Sequence, residues 1–575
     1  MTQPPAVRAA PSKEMTVPHV HRRALIAAGV ATGALTPAVA SSPERATAAA
    51  GRSAFRHGVA SGDPLPDAVV IWTRVTPIEA AAPGSGQGPA VRVGWEVSRD
   101  RGFRRVVARG TSRTTALRDH TVHVDVRGLR PGTRYWYRFT WGGARSQVGR
   151  TRTAPARRSR VPVRLGVVSC ANYNWGHFSG YRHLARRDDL DAVLHLGDYI
   201  YEYGPDGPLV PGVAPATVRV AEPPRECVTL ADYRIRYGCY RRDRALQAMH
   251  AAHPVVAVWD DHEIANDTWR EGAENHDEGE GPWQRRAREA RQAWLEWLPV
   301  RHVDPDDPER INRRLRFGAA VDLWMLDERR FRDEPPRSLA FSYGSVDPGT
   351  GPDRSMLGDA QRHWLGRGLR RSDAWWKVLG NQVPFFPLVI GAGVPEAIQA
   401  VLEPISERLP HPSTALYVDD WNGFKAEREH LVAGIAEVED VVVLTGDVHQ
   451  SMVSDIPRDP GTYRIDPVSV AAEFITPGIG SPSLRTSANS VMPGSGEILE
   501  TILNTNLAVG NPWAKYDESE HCGYLVVDFD RRRAHADYFH LDNARDPHSG
   551  VKLGASWECR RGSRRVTPAR RGLDT

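Results

Sequence analysis

The chain is short of cysteine, of net charge and of long apolar runs, and each shortage excludes something. Five cysteines in 575 residues are an odd number, so complete disulfide pairing is excluded and at least one thiol is left over. The formal net charge of +5 is small for this length. Its basic excess gathers at Arg560-Arg561-Gly562-Ser563-Arg564-Arg565 and Arg570-Arg571. No recognisable nucleic-acid-binding fold lies beside them, so residues 546–575 read as a frayed basic tail. The uncharged stretch Ala24–Ala34 is too short for a stable membrane anchor, which needs about twenty apolar residues. No internal repeat is visible.

What is present is an ordinary globular composition, 41% hydrophobic and 25% charged, over a length that suits about three to four domain-sized units. Residues 1–50 read as an export leader. His21-Arg22-Arg23 precedes the uncharged run, and Ala38-Val39-Ala40 is a small-x-small cleavage signal. Paired arginines before a weakly apolar stretch resemble a twin-arginine signal. His21 and Leu25 stand where the usual pattern has Ser or Thr and Phe. The mature chain is expected to begin between Ser41 and Gly51 and to be exported already folded. An exported protein favours disulfides: Cys227 with Cys239 and Cys522 with Cys559 are pairings suggested by proximity only. Cys170, which ends a strand-like run, is the candidate odd thiol.

Residues 52–153 alternate apolar and polar positions between Pro/Gly turns, the pattern of a fibronectin-III-like β-sandwich. In Leu129-Arg130-Pro131-Gly132-Thr133-Arg134-Tyr135-Trp136-Tyr137 a strand-borne tyrosine is expected to tie down the preceding turn. A basic, proline-containing linker follows at 153–160. From Val161 to residue 545 strands alternate with helices, which alone suggests a doubly wound α/β sheet. Strands are expected at 163–169, 191–197, 255–259, 320–326, 375–380 and 441–446. A helix is expected around 177–187, a long helical region at 229–252, and a closing antiparallel hairpin at 525–529 and 534–540. Residues 265–285 and 333–353 read as long loops near a site.

The apolar runs end in metal-binding residue types. Val167-Val168-Ser169-Cys170, Leu196-Gly197-Asp198-Tyr199-Ile200-Tyr201-Glu202, Val258-Trp259-Asp260-Asp261-His262-Glu263 and Leu444-Thr445-Gly446-Asp447-Val448-His449 would converge at the carboxyl edge of a sheet. Carboxylate and imidazole suit hard or borderline cations; phenolate and thiolate suit ferric iron. Singly, each residue has an ordinary reading: Asp198 as a helix cap, Tyr201 as packing, His449 as a core histidine, Cys170 as an inert core thiol. As a set they indicate a metal centre. Trp259 and Trp421 read as packing residues.

Together with His57-Gly58-Val59-Ala60-Ser61-Gly62-Asp63-Pro64, Ala231-Asp232-Tyr233-Arg234, Leu326-Asp327-Glu328-Arg329 and Gly380-Asn381-Gln382, these stretches resemble the PhoD-like alkaline phosphatases. The resemblance runs from about Ala54 to Asp530. It implies an α+β, four-layer metallophosphatase, with two packed mixed β-sheets flanked by helices, preceded by the sandwich domain. It also implies a centre of Fe3+ and Ca2+. Cys170 and Tyr201 would bind the iron, Asp198 would lie between iron and calcium, and Asp261, Asp447 and His449 would complete the shell. His262 would contact the phosphate, and Asn266 could reach a metal or the substrate. The implied reaction is hydrolysis of phosphomonoesters and phosphodiesters by a metal-activated hydroxide, in a protein that meets the twin-arginine translocase during export and ends outside the cell. Two alternatives stand beside it: a phosphodiesterase specialised for a polymer or lipid headgroup, and a surface-binding protein with a vestigial site. The family pattern Asn-Pro-His is departed from at Asn511-Pro512-Trp513, with His521 the nearby candidate to replace the lost imidazole.

Overall fold

A computed structural model describes residues 54–205, 207, 217–336, 354–390, 414–415, 419–492 and 494–573. The expected leader, the start of the mature chain and most of the 333–353 loop lie outside the described residues.

Two large sheets dominate. The first has ten strands, in the order Val566–Pro568, Val551–Arg560, Arg533–Leu541, Gly523–Phe529, Val163–Val168, Ala192–His195, Pro254–Ala257, Val59–Gly62, Ala68–Arg74, Thr121–Arg127. The second has seven: Arg313–Phe317, Val321–Met325, Trp376–Gly380, Val441–Thr445, Ser469–Ile475, Ser451–Pro457, Ala514–Glu518. At the centre of each, neighbouring strands run parallel, while hairpins close the flanks antiparallel. One doubly wound sheet is therefore the wrong picture, and two mixed sheets the right one.

Alternation along the strands shows how they pack. Leu323 and Met325, with Val442 and Leu444, belong to the same apolar core as Leu165, Val167 and Val193 of the first sheet. Trp324, Leu326, Val441 and Val443 point the other way, into a second core shared with Leu365, Leu369, Leu431 and Ile435. Those residues come from helices Gly358–Arg371 and Lys425–Ala436. Opposite faces of one strand filling two cores is what a period of two produces when both faces are covered. Helices Ser179–Arg186, Leu230–Tyr240, Arg244–Ala252 and Trp283–Trp297 supply Leu184, Tyr233, Met249 and Trp294 to the first core. The expected long helical region at 229–252 is thus built as two helices. Asp243 starts the second by accepting from the backbone N–H groups of Ala245 and Leu246, a capping arrangement that ends one helix and begins another.

The amino-terminal module is a sandwich that shares a sheet with the rest. Val91–Ser98, Val106–Thr114 and Arg134–Trp141, with the short strands Ala144–Arg145 and Gly149–Arg152, form its separate five-stranded sheet, packed through Val93, Val97, Tyr137 and Phe139 on Val59, Val69, Ile71 and Val122. The latter strands are the edge of the ten-stranded sheet, joined to it in parallel by Ser61 opposite Pro254 and Gly62 opposite Val255. Tyr135 does tie down its turn: its hydroxyl accepts from Arg130 N–H at 2.9 Å.

The carboxyl-terminal segment is no frayed tail. Val551–Arg560 pairs along Arg533–Leu541, and its arginines are used: Arg561 binds Asp440 at 3.0 Å, and Arg564 donates to the carbonyl oxygens of Ala436 and Val438. No disulfide forms among the described residues, and all five cysteines are buried thiols. Cys227 lies in the first core, Cys239 is buried on helix Leu230–Tyr240, Cys559 sits in a strand facing the same core, and Cys522 packs with Trp175 and Leu541.

Candidate metal centre

The parallel strands of both sheets end at one place. Val163–Val168 delivers Cys170, Ala192–His195 delivers Asp198 and Tyr201, and Pro254–Ala257 delivers Asp260, Asp261 and His262. Across from them Val441–Thr445 delivers Asp447 and His449. Three groupings bring ligand atoms within 4.8 Å of one another: Cys170–Asp198–His449, Asp198–Asp261–His262, and Asp260–Asp261–Asp447. Asp198 belongs to two of them.

The backbone at these residues is strained. Cys170, Asp198, Asp447 and His449 all have positive φ, at 59°, 54°, 69° and 56°. Each such non-glycine residue costs on the order of 1–3 kcal/mol and persists where the surroundings impose it. Glu263 imposes part of it, accepting from the N–H groups of Asp198 (3.0 Å), Tyr199 (2.5 Å) and Asp260 (2.7 Å). Gly197, at φ 107°, is needed for a close approach: a Cβ there would lie 2.2 Å from the Cβ of Asp260. The room it makes is for Asp260, not for an ion.

Hydrogen bonds fix the donors. His449 Nδ1 donates to the Pro482 carbonyl oxygen at 2.8 Å, leaving Nε2 as the lone-pair nitrogen. That Nε2 lies 3.0 Å from the Tyr201 hydroxyl, which also contacts Asp198 Oδ2 at 3.0 Å and accepts from Ser481 Oγ at 2.8 Å. His262 Nδ1 meets Glu202 at 2.8 Å, and its ring lies over Tyr201 with centroids 4.1 Å apart. Arg329, fully buried, binds Asp260 and reaches Asp419 at 2.6 Å and both Asp261 and Asp447 at 3.5 Å.

Electrostatically the site is short of positive charge. Burial, with the Asp198 charge added, pushes the Cys170 thiol well above its ordinary value; the same two causes act on the Tyr201 phenol. Burial raises Asp198 far out of the carboxylate range, Asp261 and Asp260 adding to it. Asp447 is raised by burial and by Asp260. Burial pushes His449 down to about 4. For His262 burial opposes charge, but Asp261, Glu202 and Asp198 outweigh it and hold the imidazole well above its usual value. Asp198 Oδ1, Asp261 Oδ1 and Asp260 Oδ2 are buried without hydrogen-bond partners, an arrangement expected of groups that ligate. The donor set fits cations. A thiol, a phenol and an imidazole face Asp198 on one side, which suits a ferric ion; on the other Asp198 meets Asp261 and His262, and Asp261 belongs in turn to an all-carboxylate grouping that suits a hard divalent ion such as calcium.

Sequence reasoning singled out Cys170, Asp198, Tyr201, Asp261, His262, Asp447 and His449, and the fold brings all seven together. Asn266 is placed beside them through its backbone, which donates to Glu202 at 2.7 Å, but its side chain bonds Glu274 at 3.2 Å and joins none of the groupings. Asp260, Glu202, Glu263, Arg329 and Ser481 were given no role from sequence. Asp260 and Glu263 lie within the quoted Asp-Asp-His-Glu run, yet only the turn's geometry separates a ligand from a backbone clamp. Trp259 and Trp421 are buried packing residues whose indoles donate to Asp327 and Glu328. Trp513 is buried and donates to the Pro387 carbonyl oxygen at 2.7 Å, while His521 engages Glu518 and His540 instead.

Comparison with known proteins finds matches along most of the chain. A family model described as "PhoD-like phosphatase" matches residues 165–538, and one described as "PhoD-like phosphatase, N-terminal domain" matches residues 38–155. The chain is similar to alkaline phosphatase D of Bacillus subtilis (strain 168), 38% identical over 410 residues. That match covers 70% of this chain and 66% of the relative, just under two thirds of its length. A solved structure described as "Structure of PhoD" superposes with a TM-score of 0.76 at 32% identity, covering 90% of this chain and 92% of that one.

Proposed function

This chain belongs to the PhoD-like phosphatase family, and on that footing we propose that it hydrolyses phosphate esters at the Asp198 centre, accepting monoesters and diesters. The observation that carries the reading is Asp198 shared between a Cys–His–Tyr environment and a carboxylate–imidazole one. Fe3+ is assigned to Cys170, Tyr201, His449 and Asp198, and Ca2+ to the carboxylates around Asp261, which groups with Asp198 on one side and with Asp260 and Asp447 on the other. Cations held there would neutralise phosphate oxygens and lower the pKa of a bound water.

The chain's own groups supply the rest. His262 keeps Nδ1 on Glu202, so its other ring nitrogen is the one able to present a proton. Glu202, which no cation claims in this scheme, favours the imidazolium from its place on Nδ1, and that is the form that protonates a leaving alkoxide. Glu202 orients that ring and is held in turn by Asn266 N–H and Asn275 Nδ2. Arg329 keeps Asp260, Asp261 and Asp447 together against their mutual repulsion. A diester carries one charge fewer than a monoester, so one site can take both. Export through the twin-arginine translocase, on the strength of the Arg22-Arg23 leader, would place the activity outside the cell on small phosphate esters.

The test is release of nitrophenol from mono- and bis-nitrophenyl phosphate by the purified, metal-supplied protein. Hydrolysis of both supports the proposal. A diester rate far above the monoester rate would favour the reading as a phosphodiesterase specialised for a polymer or lipid headgroup. No release from either ester overturns it.

A further inference from the structure

A second group of ligating side chains lies outside the Asp198 centre. Glu518, at the end of strand Ala514–Glu518, His521 in the turn after it, and His540 near the end of strand Arg533–Leu541 place one ligand atom each within 4.8 Å of one another. His521 Nδ1 lies 2.9 Å from Glu518 Oε1, and His540 Nε2 lies 3.6 Å from Glu518 Oε2. Two ligands at 2.0–2.2 Å from a tetrahedral ion stand about 3.4 Å apart, and three ligand atoms already within 4.8 Å of one another reach that spacing by a side-chain rotation.

The fold makes room for His540. Strands Arg533–Leu541 and Val551–Arg560 slip register between Tyr538 and Phe539, leaving Gly554 unpaired. A Cβ on Gly554 would sit 2.2 Å from His540 Nδ1. A bulge is a device for re-aiming a side chain, and here the aimed side chain is an imidazole, 3% exposed. Its Nε2 also meets Ser451 Oγ at 3.1 Å, a hydroxyl placed to bond an ion's fourth, solvent ligand. The His521 and His540 rings lie nearly parallel, 5.3 Å between centroids. One ring must therefore turn to bring both nitrogens onto a common ion. His521 is the one able to turn, its side chain being 25% exposed.

We infer that Glu518, His521 and His540 form a second metal site, for one borderline divalent cation of the Zn2+ type, with a water completing the tetrahedron. Two imidazoles and a carboxylate suit such an ion. Its place in the structure gives it a supporting role. It would pin the Glu518–Cys522 turn to the ten-stranded sheet, and Cys522 Sγ donates to the Ser481 carbonyl oxygen at 2.9 Å. Ser481 and Pro482 hold Tyr201 and His449, so the ion would stiffen the wall behind the Asp198 centre. Binding displaces the proton that His521 Nδ1 shares with Glu518.

Wild type, His521→Ala and Glu518→Gln, each equilibrated with excess Zn2+ and desalted, would be compared for zinc, iron and calcium per chain. The expected result is about one zinc fewer in each variant with iron and calcium unchanged, and a zinc-dependent rise in melting temperature in wild type only. Equal zinc in all three overturns the inference. Independently of any variant, Co2+ added to wild type should give the ligand-field bands of a four-coordinate ion, removed by one equivalent of Zn2+. Absence of those bands also overturns it.

Discussion

At the scale of residues, roles separate by what each side chain is bonded to. His262 is the proton donor of the scheme, so His262→Gln should lower kcat by about 10²–10⁴-fold while leaving metal content intact. A loss of metal instead would move His262 from acid to ligand. Glu202→Gln keeps the shape but weakens the hold on Nδ1. A drop in kcat of about 10–100-fold with little change in KM is expected, the scale seen when a residue behind an active group is replaced. If iron occupies the centre as proposed, Cys170→Ala and Tyr201→Phe should each abolish its visible band and most activity. The seven candidate residues that the fold brings together were legible because each follows a short apolar run. Glu202, Glu263 and Arg329 were not. Their work is done through backbone N–H groups and carboxylates contributed from tens of residues away, a relation that no spacing records.

At the scale of elements, strands were readable wherever an apolar run had a candidate ligand at its end, and their observed bounds fall within a few residues of expectation. The long helical region at 229–252 was readable, but not its break at Asp243, whose side chain caps a new start. The terminal strand was missed because its arginines drew attention from the alternation of Val551, Leu553, Ala555, Trp557 and Cys559. The strand Ala192–His195 carries a test of its own. His195 is fully buried, with the Tyr181 hydroxyl 2.8 Å from its Nε2, and burial pushes it down to about 3. Its folded value is depressed below the unfolded value of about 6.5. The unfolded state therefore takes up the proton first, and stability is lost as pH falls below about 6.5. Between pH 7.5 and pH 5 wild type should lose about 2 kcal/mol more in urea unfolding than His195→Gln. Identical pH dependence would show that the histidine is charged in the folded protein.

At the scale of the molecule, two sheets packed face to face bring strand ends from residues 170 to 449 to one point, and the amino-terminal sandwich is continuous with the first sheet. The resemblance to a family supplied the two-sheet architecture; alternation of strands and helices alone gave one sheet, because local patterning does not say which strands pair. The carboxyl-terminal strands close that sheet, so deleting residues 551–575 would leave Arg533–Leu541 as an unprotected edge. A lower melting temperature and concentration-dependent aggregation in size-exclusion chromatography are expected; unchanged behaviour would mean the segment is dispensable. No helix among the described residues is long and apolar enough to cross a membrane. The proposed centre on Asp198 pairs iron with calcium, and elemental analysis combined with the visible spectrum of the purified protein decides whether it does. One iron with calcium per chain, and a tyrosinate-to-iron band that disappears in Tyr201→Phe, is the expected result; a colourless, active protein carrying zinc at Cys170, Asp198 and His449 would contradict it.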